Sequence, residues 1–200
     1  MNLFKSNNLK SFSDEELMKL VCKQNNKAFE EIYKRYNNKI QFFFFRILNK
    51  DREKAKDFTH DLFIRIIEKS TLFNNSHKFS TWVYTIALNI CKNELRKEKT
   101  ANKYNEQISI EELVSNNKNL LEDIDLPFYK KQLYIALEEL DESKRIAFIL
   151  RYQEELSVKE IADILDCPEG TVKSRIFYAI EMLSKKLTTF KNNVIYEHTK

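Results

Sequence analysis

The chain has 200 residues, room for one or two small domains with their own cores, and a formal net charge of +4 from 34 basic and 30 acidic residues. Only 1 Gly and 2 Pro occur. Hairpins and Gly-rich phosphate loops therefore have almost no raw material, and abundant Leu, Ile, Glu and Lys predict an all-α protein. The charge is too mild to identify a nucleic-acid binder by itself, so its placement along the chain has to carry that argument.

Residues 1 to about 12 are polar and Asn/Lys-rich, a frayed lead-in. Ser13 and Glu16 have the spacing of a capping box and open a helix through Leu17, Leu20 and Val21. A second helix begins near Asn26, carries Ala28, Phe29, Ile32, Tyr33 and Tyr36 at helical spacing, and continues through Ile40 to Asn49. Phe42, Phe43, Phe44 and Phe45 stand in a row near its end, and four consecutive helical residues cannot all face one core. Either part of that cluster meets a partner or the helix is wedged between two neighbours; the spacing leaves both open.

Asp51 starts a third helix, whose buried arc is Ala55, Phe58, Leu62, Phe63 and Ile66. Opposite lie Asp57, Asp61 and Glu68, with Ile64 among the carboxylates. Like charges four apart oppose helix formation mildly, and an exposed isoleucine among them suits a protein-docking face as well as a solvated one. A polar loop follows, Phe73 to Lys78, that includes Asn74, Asn75, Ser76 and His77. The next helix buries Val83, Tyr84, Ala87, Leu88, Ile90, Cys91 and Leu95. Its remaining arc holds Trp82, Thr85, Ile86, Asn89, Lys92, Asn93 and Arg96. Such a mixture suits single-stranded nucleic acid, because bases stack on aromatics while cations follow the backbone. Trp82 could instead be core, but the helix already has a full apolar arc without it.

From Thr100 to about Pro127 the chain turns to Asn, Ser and acidic residues, including Glu106, Glu111, Glu112, Glu122, Asp123 and Asp125. That composition predicts a flexible linker with a short helix near Ser109 to Val114. Phe128 to Leu140 then reads as a helix with Leu133, Ala136, Leu137 and Leu140 inward, and Asp141 as the N-cap of another running to Tyr152. In that helix Ile146, Ile149 and Leu150 point inward.

Leu156 to Leu187 has the spacing of two helices joined by a tight turn. Ser157 and Glu160 form a second capping box, Asp166 stands where φ can be positive, and Pro168 fixes φ at the start of the next helix. That helix places Val172, Ile176, Ala179 and Leu183 behind, with Ile180 at the margin. Thr171, Ser174 and Tyr178 fall in front, flanked by Lys173 and Arg175. An apolar back with a small-polar and basic front fits a recognition helix in a DNA major groove. Any amphipathic helix pair shares the periodicity; the order of cap, turn and proline favours a helix-turn-helix. The tail after Thr188 receives no role.

Cys22, Cys91 and Cys167 are far apart and odd in number, which suits a reducing cytosol better than disulfides. His60, His77 and His198 are scattered, so no metal site is expected. No signal peptide or span is predicted, because the most apolar run, Phe42 to Leu48, is short and contains Arg46. No catalytic constellation stands out and no cofactor is implied. The expectation is a soluble intracellular protein of two small helical domains: residues 13–99, a linker 100–127, and a helix-turn-helix domain 128–188.

Several stretches together resemble the extracytoplasmic-function (ECF) sigma factors of the bacterial sigma-70 family. In region 2 they are AFEEIYKRY (Ala28 to Tyr36), AKDFTHDLFIR (Ala55 to Arg65) and KFSTWVYTIALNICKNELR (Lys78 to Arg96). In region 4 they are ALEELDESKR (Ala136 to Arg145), LSVKEIADIL (Leu156 to Leu165) and DCPEGTVKSRIF (Asp166 to Phe177). The resemblance implies a non-enzymatic subunit that binds core RNA polymerase, directs it to promoters and helps open the −10 region. It implies that Asp57, His60, Asp61 and Ile64 meet the β′ clamp helices, with His60 where the family usually has Gln. It implies that Asn74, Asn75, Ser76, His77, Lys78, Trp82, Asn89, Lys92, Asn93 and Arg96 face the −10 element. By the same resemblance Thr171, Lys173, Ser174, Arg175 and Tyr178 read the −35 duplex while region 4 also holds the β flap. Further implied are a cognate anti-sigma factor, no small-molecule substrate, and a cytoplasmic location or one at the inner membrane face through that partner. Where the family's recognition helix continues R-x-R, this chain has Tyr178 and Ile180, and two fewer cations imply weaker phosphate contact. Outside the family, an ordinary helix-turn-helix repressor would bind palindromic duplex without polymerase, and a protein-binding adaptor using the acidic face would touch no DNA.

Overall fold

The structure, a computed structural model, describes residues 9–48, 51–105, 133 and 135–197. Among these the regular elements are all helical: α1 (Asp14–Val21), α2 (Asn26–Ile47), α3 (Arg52–Glu68), α4 (Phe79–Asn105), α5 (Glu142–Tyr152), α6 (Val158–Leu165) and α7 (Glu169–Glu197), with 3-10 turns at Leu9–Ser11 and Ser70–Leu72. The chain divides into two compact units, Met1–Glu98 and Lys99–Lys200. The fold is all-α, as the composition and periodicity predict.

Short polar side chains start most of these helices. Ser13 and Ser157 each close a full capping box with Glu16 and Glu160, and the side chains of Asn25, Asp51 and Asp141 accept from the backbone N–H of Ala28, Lys54 and Lys144. Each such cap contributes about 1 kcal/mol by satisfying a donor that the helix cannot.

In the first unit α2 is wedged between α3 and α4, which resolves the row of phenylalanines. Phe44 meets Phe58 of α3 and Phe43 meets Tyr84 of α4, with ring centroids 5.9 and 5.4 Å apart. Both are fully buried. Phe42 is left outside, with the Arg46 guanidinium 5.7 Å from its ring centroid. Farther up α2, Tyr33 packs on Phe63 and Tyr36 stands edge-on to Phe79 at 5.0 Å. Burying an aromatic of this size contributes roughly 1.5–3 kcal/mol, so this ladder fixes the three helices against one another. Thr59 is buried on α3 without penalty because its hydroxyl donates to the Ala55 carbonyl at 2.7 Å.

In the second unit α5 and α6 both pack on α7. Ala136, Leu137 and Leu140 join Ala179 and Leu183 in one cluster that Leu133, Phe148 and Met182 border. Asp166 ends α6 in the left-handed region at φ 51°, and the Cys167 N–H returns to the Ala162 carbonyl at 3.1 Å. Pro168 sits one place earlier than expected: its carbonyl accepts from the N–H groups of Thr171 and Val172, the N-cap position rather than the first helical one. No helical bond is lost there either.

Two boundaries differ from expectation. Helix α4 runs through Asn105, beyond the predicted start of the linker at Thr100, because residues 100–105 contain no Gly or Pro to stop it. Helix α7 continues to Glu197, past Thr188. The rest of the expected linker, with its short helix at Ser109 to Val114, and the start of the helix from Phe128 lie outside the described residues; 135–138 are helical. No helix among the described residues is long and apolar enough to cross a membrane.

Candidate nucleic-acid interfaces

The loop before α4 owes its shape to Asn74. Its side-chain Oδ1 accepts from the Ser76 N–H at 3.0 Å and from the Ser76 hydroxyl at 2.9 Å, and its carbonyl accepts from the His77 N–H. This Asx turn presents Asn75, Ser76, His77 and Lys78 to solvent. Asn74 is exposed as well, but its side-chain oxygen is occupied in holding the turn. Phe73, at the head of the same stretch, is not a loop residue in the polar sense: it is buried.

Phe73 is half of the explanation for Trp82. The indole lies 5.3 Å from the Phe73 ring and 6.0 Å from Phe79, and its residue is half-buried. The sequence offered a choice between core and exposed platform; the structure has one part of the ring anchored on two phenylalanines and the rest accessible. Down α4 from Trp82, the exposed residues Asn89, Asn93 and Arg96 fall within about 40° of the same helix face, with Lys92 beside them. Trp82 to Arg96 spans about 21 Å of helix at 1.5 Å per residue. Thr85 points the same way but is half-buried, and its hydroxyl donates to the Thr81 carbonyl. The loop and this row are continuous, an aromatic head followed by amides and cations.

On α3 the side chains of Asp57, His60, Asp61 and Glu68 are exposed, and Ile64 is 47% exposed among them. Ile67, 51% exposed, and Leu72 in the following 3-10 turn, 71% exposed, extend the apolar part of that surface. Sequence reasoning missed both. Ile67 stands three residues from Ile64, a spacing that could have revealed it, whereas Leu72 lies beyond the helix and is placed only by the chain's turn at Ser70.

In the helix-turn-helix, Lys173, Ser174 and Tyr178 are exposed and Thr171 and Arg175 are half-buried. Ser174 donates its hydroxyl to the Thr171 carbonyl at 2.9 Å, and Arg175 Nη1 reaches Cys167 Sγ at 3.6 Å across the turn. Phe177 was not expected on the surface, yet it is 63% exposed, its ring edge-on to Tyr178 at 5.5 Å. Ile180 is exposed beside Val172, Ile176, Ala179 and Leu183, which are buried. The front of α7 is therefore part basic and part aromatic. No group of three or more His, Cys, Asp or Glu suited to a metal ion occurs among the described residues.

Two family matches divide the chain as its units do. Residues 32–101 match Sigma-70 region 2, and residues 130–183 match Sigma-70, region 4. The chain is 32% identical over 183 residues to the ECF RNA polymerase sigma-E factor of Haemophilus influenzae, spanning 88% of this chain and 95% of that protein. It is 32% identical over 180 residues to the ECF RNA polymerase sigma factor SigW of Bacillus subtilis, spanning 85% and 94%. Its fold is similar to that of the sigma factor RpoE co-crystallised with the anti-sigma factor NepR from Bartonella quintana (TM-score 0.66, 23% identity, 81% of this chain and 98% of that one). It is also similar to that of CnrH in complex with the cytosolic domain of CnrY (TM-score 0.65, 19% identity, 88% and 97%).

Proposed function

The chain belongs to the ECF RNA polymerase sigma factors of the sigma-70 family, and from that membership we propose that it acts as a dissociable, non-enzymatic initiation subunit. It binds core RNA polymerase, brings it to a class of promoters, and helps separate the strands at the −10 element. The observation that carries this reading is the continuous surface of the first unit, loop 74–78 and the α4 row from Trp82 to Arg96, on a chain whose second unit is a helix-turn-helix.

Each surface has its own task. The α3 face of Asp57, His60, Asp61 and Ile64 docks on the β′ clamp helices, where carboxylates supply charge and the isoleucine supplies burial. Bases drawn from the −10 duplex lose stacking and pairing worth a few kcal/mol, which stacking on an anchored indole and contacts to Asn89, Lys92, Asn93 and Arg96 offset. Thr171, Lys173, Ser174, Arg175 and Tyr178 meet the −35 duplex in its major groove, and region 4 also meets the β flap. The protein works in the cytoplasm, where polymerase and promoter are. An anti-sigma protein binds it, by analogy with the RpoE–NepR complex.

Reconstitution of the purified chain with core polymerase and promoter DNA tests this. Specific transcripts and permanganate-reactive thymines at −10 are expected; a chain that leaves core polymerase as unselective as before sinks the proposal.

A further inference from the structure

Helix α4 carries the −10 surface, yet no residue next to it in sequence caps its start. Its first intrahelical bond runs from the Trp82 N–H to the Lys78 carbonyl, so the N-cap position falls to Lys78, whose side chain has no oxygen to offer. The Phe79 N–H still needs an acceptor, and Phe79 is 0% exposed, which keeps water from serving. The acceptor comes from the other end of the unit: Glu15 Oε1, on the first turn of α1, takes that N–H at 2.9 Å.

Helix α1 is itself firmly held. Asp14 Oδ1 pairs with Arg35 Nη1 at 2.8 Å and its other oxygen accepts from the Tyr36 hydroxyl. Arg35 also donates to the carbonyls of Leu9, Lys10 and Phe12. The Tyr36 ring stands edge-on to Phe79, and Phe79 and Phe73 together support Trp82. The carboxylate of Glu15 thus acts on Phe79, whose ring touches both Tyr36 of α2 and the indole.

We propose that Glu15 is a positioning residue for promoter opening: by capping α4 at Phe79 it fixes the angle at which Trp82 and loop 74–78 meet the non-template strand. The inference rests on the reading of this chain as an initiation subunit. Glu15 touches no DNA itself. It acts through Phe79, and what it supplies is an oxygen at a set distance rather than a charge.

Two substitutions separate distance from charge. Glu15→Asp keeps the charge and remains a good first-turn residue, but it withdraws the carboxylate by one methylene. Glu15→Gln loses the charge and keeps a carbonyl oxygen at full reach. Holoenzymes made with each full-length variant are compared with the wild type for −35 duplex protection and for permanganate reactivity at −10, and the free full-length chains for emission of Trp82, the only tryptophan of the chain. Glu15→Asp is expected to open the promoter about tenfold less well, the scale of an orphaned buried donor. It should also shift the Trp82 emission while leaving −35 protection unchanged, and Glu15→Gln should open within about twofold of the wild type. Opening by Glu15→Asp at the wild-type level, or an equal defect in both variants, overturns the positioning role. A wild-type holoenzyme that opens nothing overturns instead the functional reading on which it rests.

Discussion

Asp141 shows how much one residue at a helix start can hold. Its Oδ1 accepts from the Lys144 N–H and from the Ser143 hydroxyl, and its other oxygen pairs with Lys144 Nζ at 2.6 Å. The Lys144 side chain above all, then Ser143 and the backbone, pulls its carboxyl down from 3.8 to about 2. A depressed folded pKa means stability that is present above the unfolded value and lost as pH falls through the folded one. The side chain is 48% exposed, so solvent screens the pair and the effect stays below about 1 kcal/mol. Asp141→Asn keeps the cap and removes the charge. Wild type should be the more stable of the two above pH 3.8, and the gap should close as pH falls to about 2, as read by urea unfolding. Caps of this kind were legible beforehand because donor and acceptor lie three residues apart. The cap at Phe79 was not, because its acceptor is Glu15, in another helix.

At the scale of the element, α3 and α7 each carry a surface that does not contribute to their own unit's core. Ile64 on α3 is 47% exposed, so Ile64→Lys should change stability by no more than about 0.5 kcal/mol. If α3 docks on the clamp helices, the same substitution should weaken core binding at least about tenfold, measured by fluorescence anisotropy of labelled chain against core polymerase. Unchanged affinity would return this stripe to a solvated face. On α7 the exposed residues Tyr178 and Ile180 stand where the family's pattern has R-x-R. Tyr178→Arg should add about one phosphate contact, steepening the dependence of −35 binding on salt by about one unit of log–log slope. Holoenzyme binding titrated across salt concentrations checks this. Both faces were readable from helical periodicity, which tells which residues share a side. What periodicity could not tell is how far each side chain is covered, and so Ile67, Leu72 and Phe177 escaped notice.

At the scale of the whole molecule, the chain consists of two units with separate cores. Phe44 is fully buried between α2 and α3, and Phe44→Ala should cost the first unit about 3–5 kcal/mol. The helix-turn-helix should keep its stability, since no residue of its cluster belongs to the first unit. Hydrogen exchange followed by unit distinguishes this from a single cooperative transition, in which both would weaken together.

The sequence by itself determined the helical class, the N-terminal caps of α1, α5 and α6, the start of α3 at Asp51, the break at Asp166 and the two faces of most helices. These depend on φ/ψ preferences and on contacts within four residues, which any stretch of chain carries with it. It also carried, through motifs in order, the resemblance that the comparisons bear out as family membership. Tertiary structure alone decided that Phe43 and Phe44 face two different helices while Phe42 faces none. It alone decided that Trp82 rests on Phe73 and Phe79, and that α4 begins against a carboxylate from α1. Those outcomes turn on which distant surfaces meet, and contact between residues tens of positions apart is set by packing the whole unit, not by any local spacing.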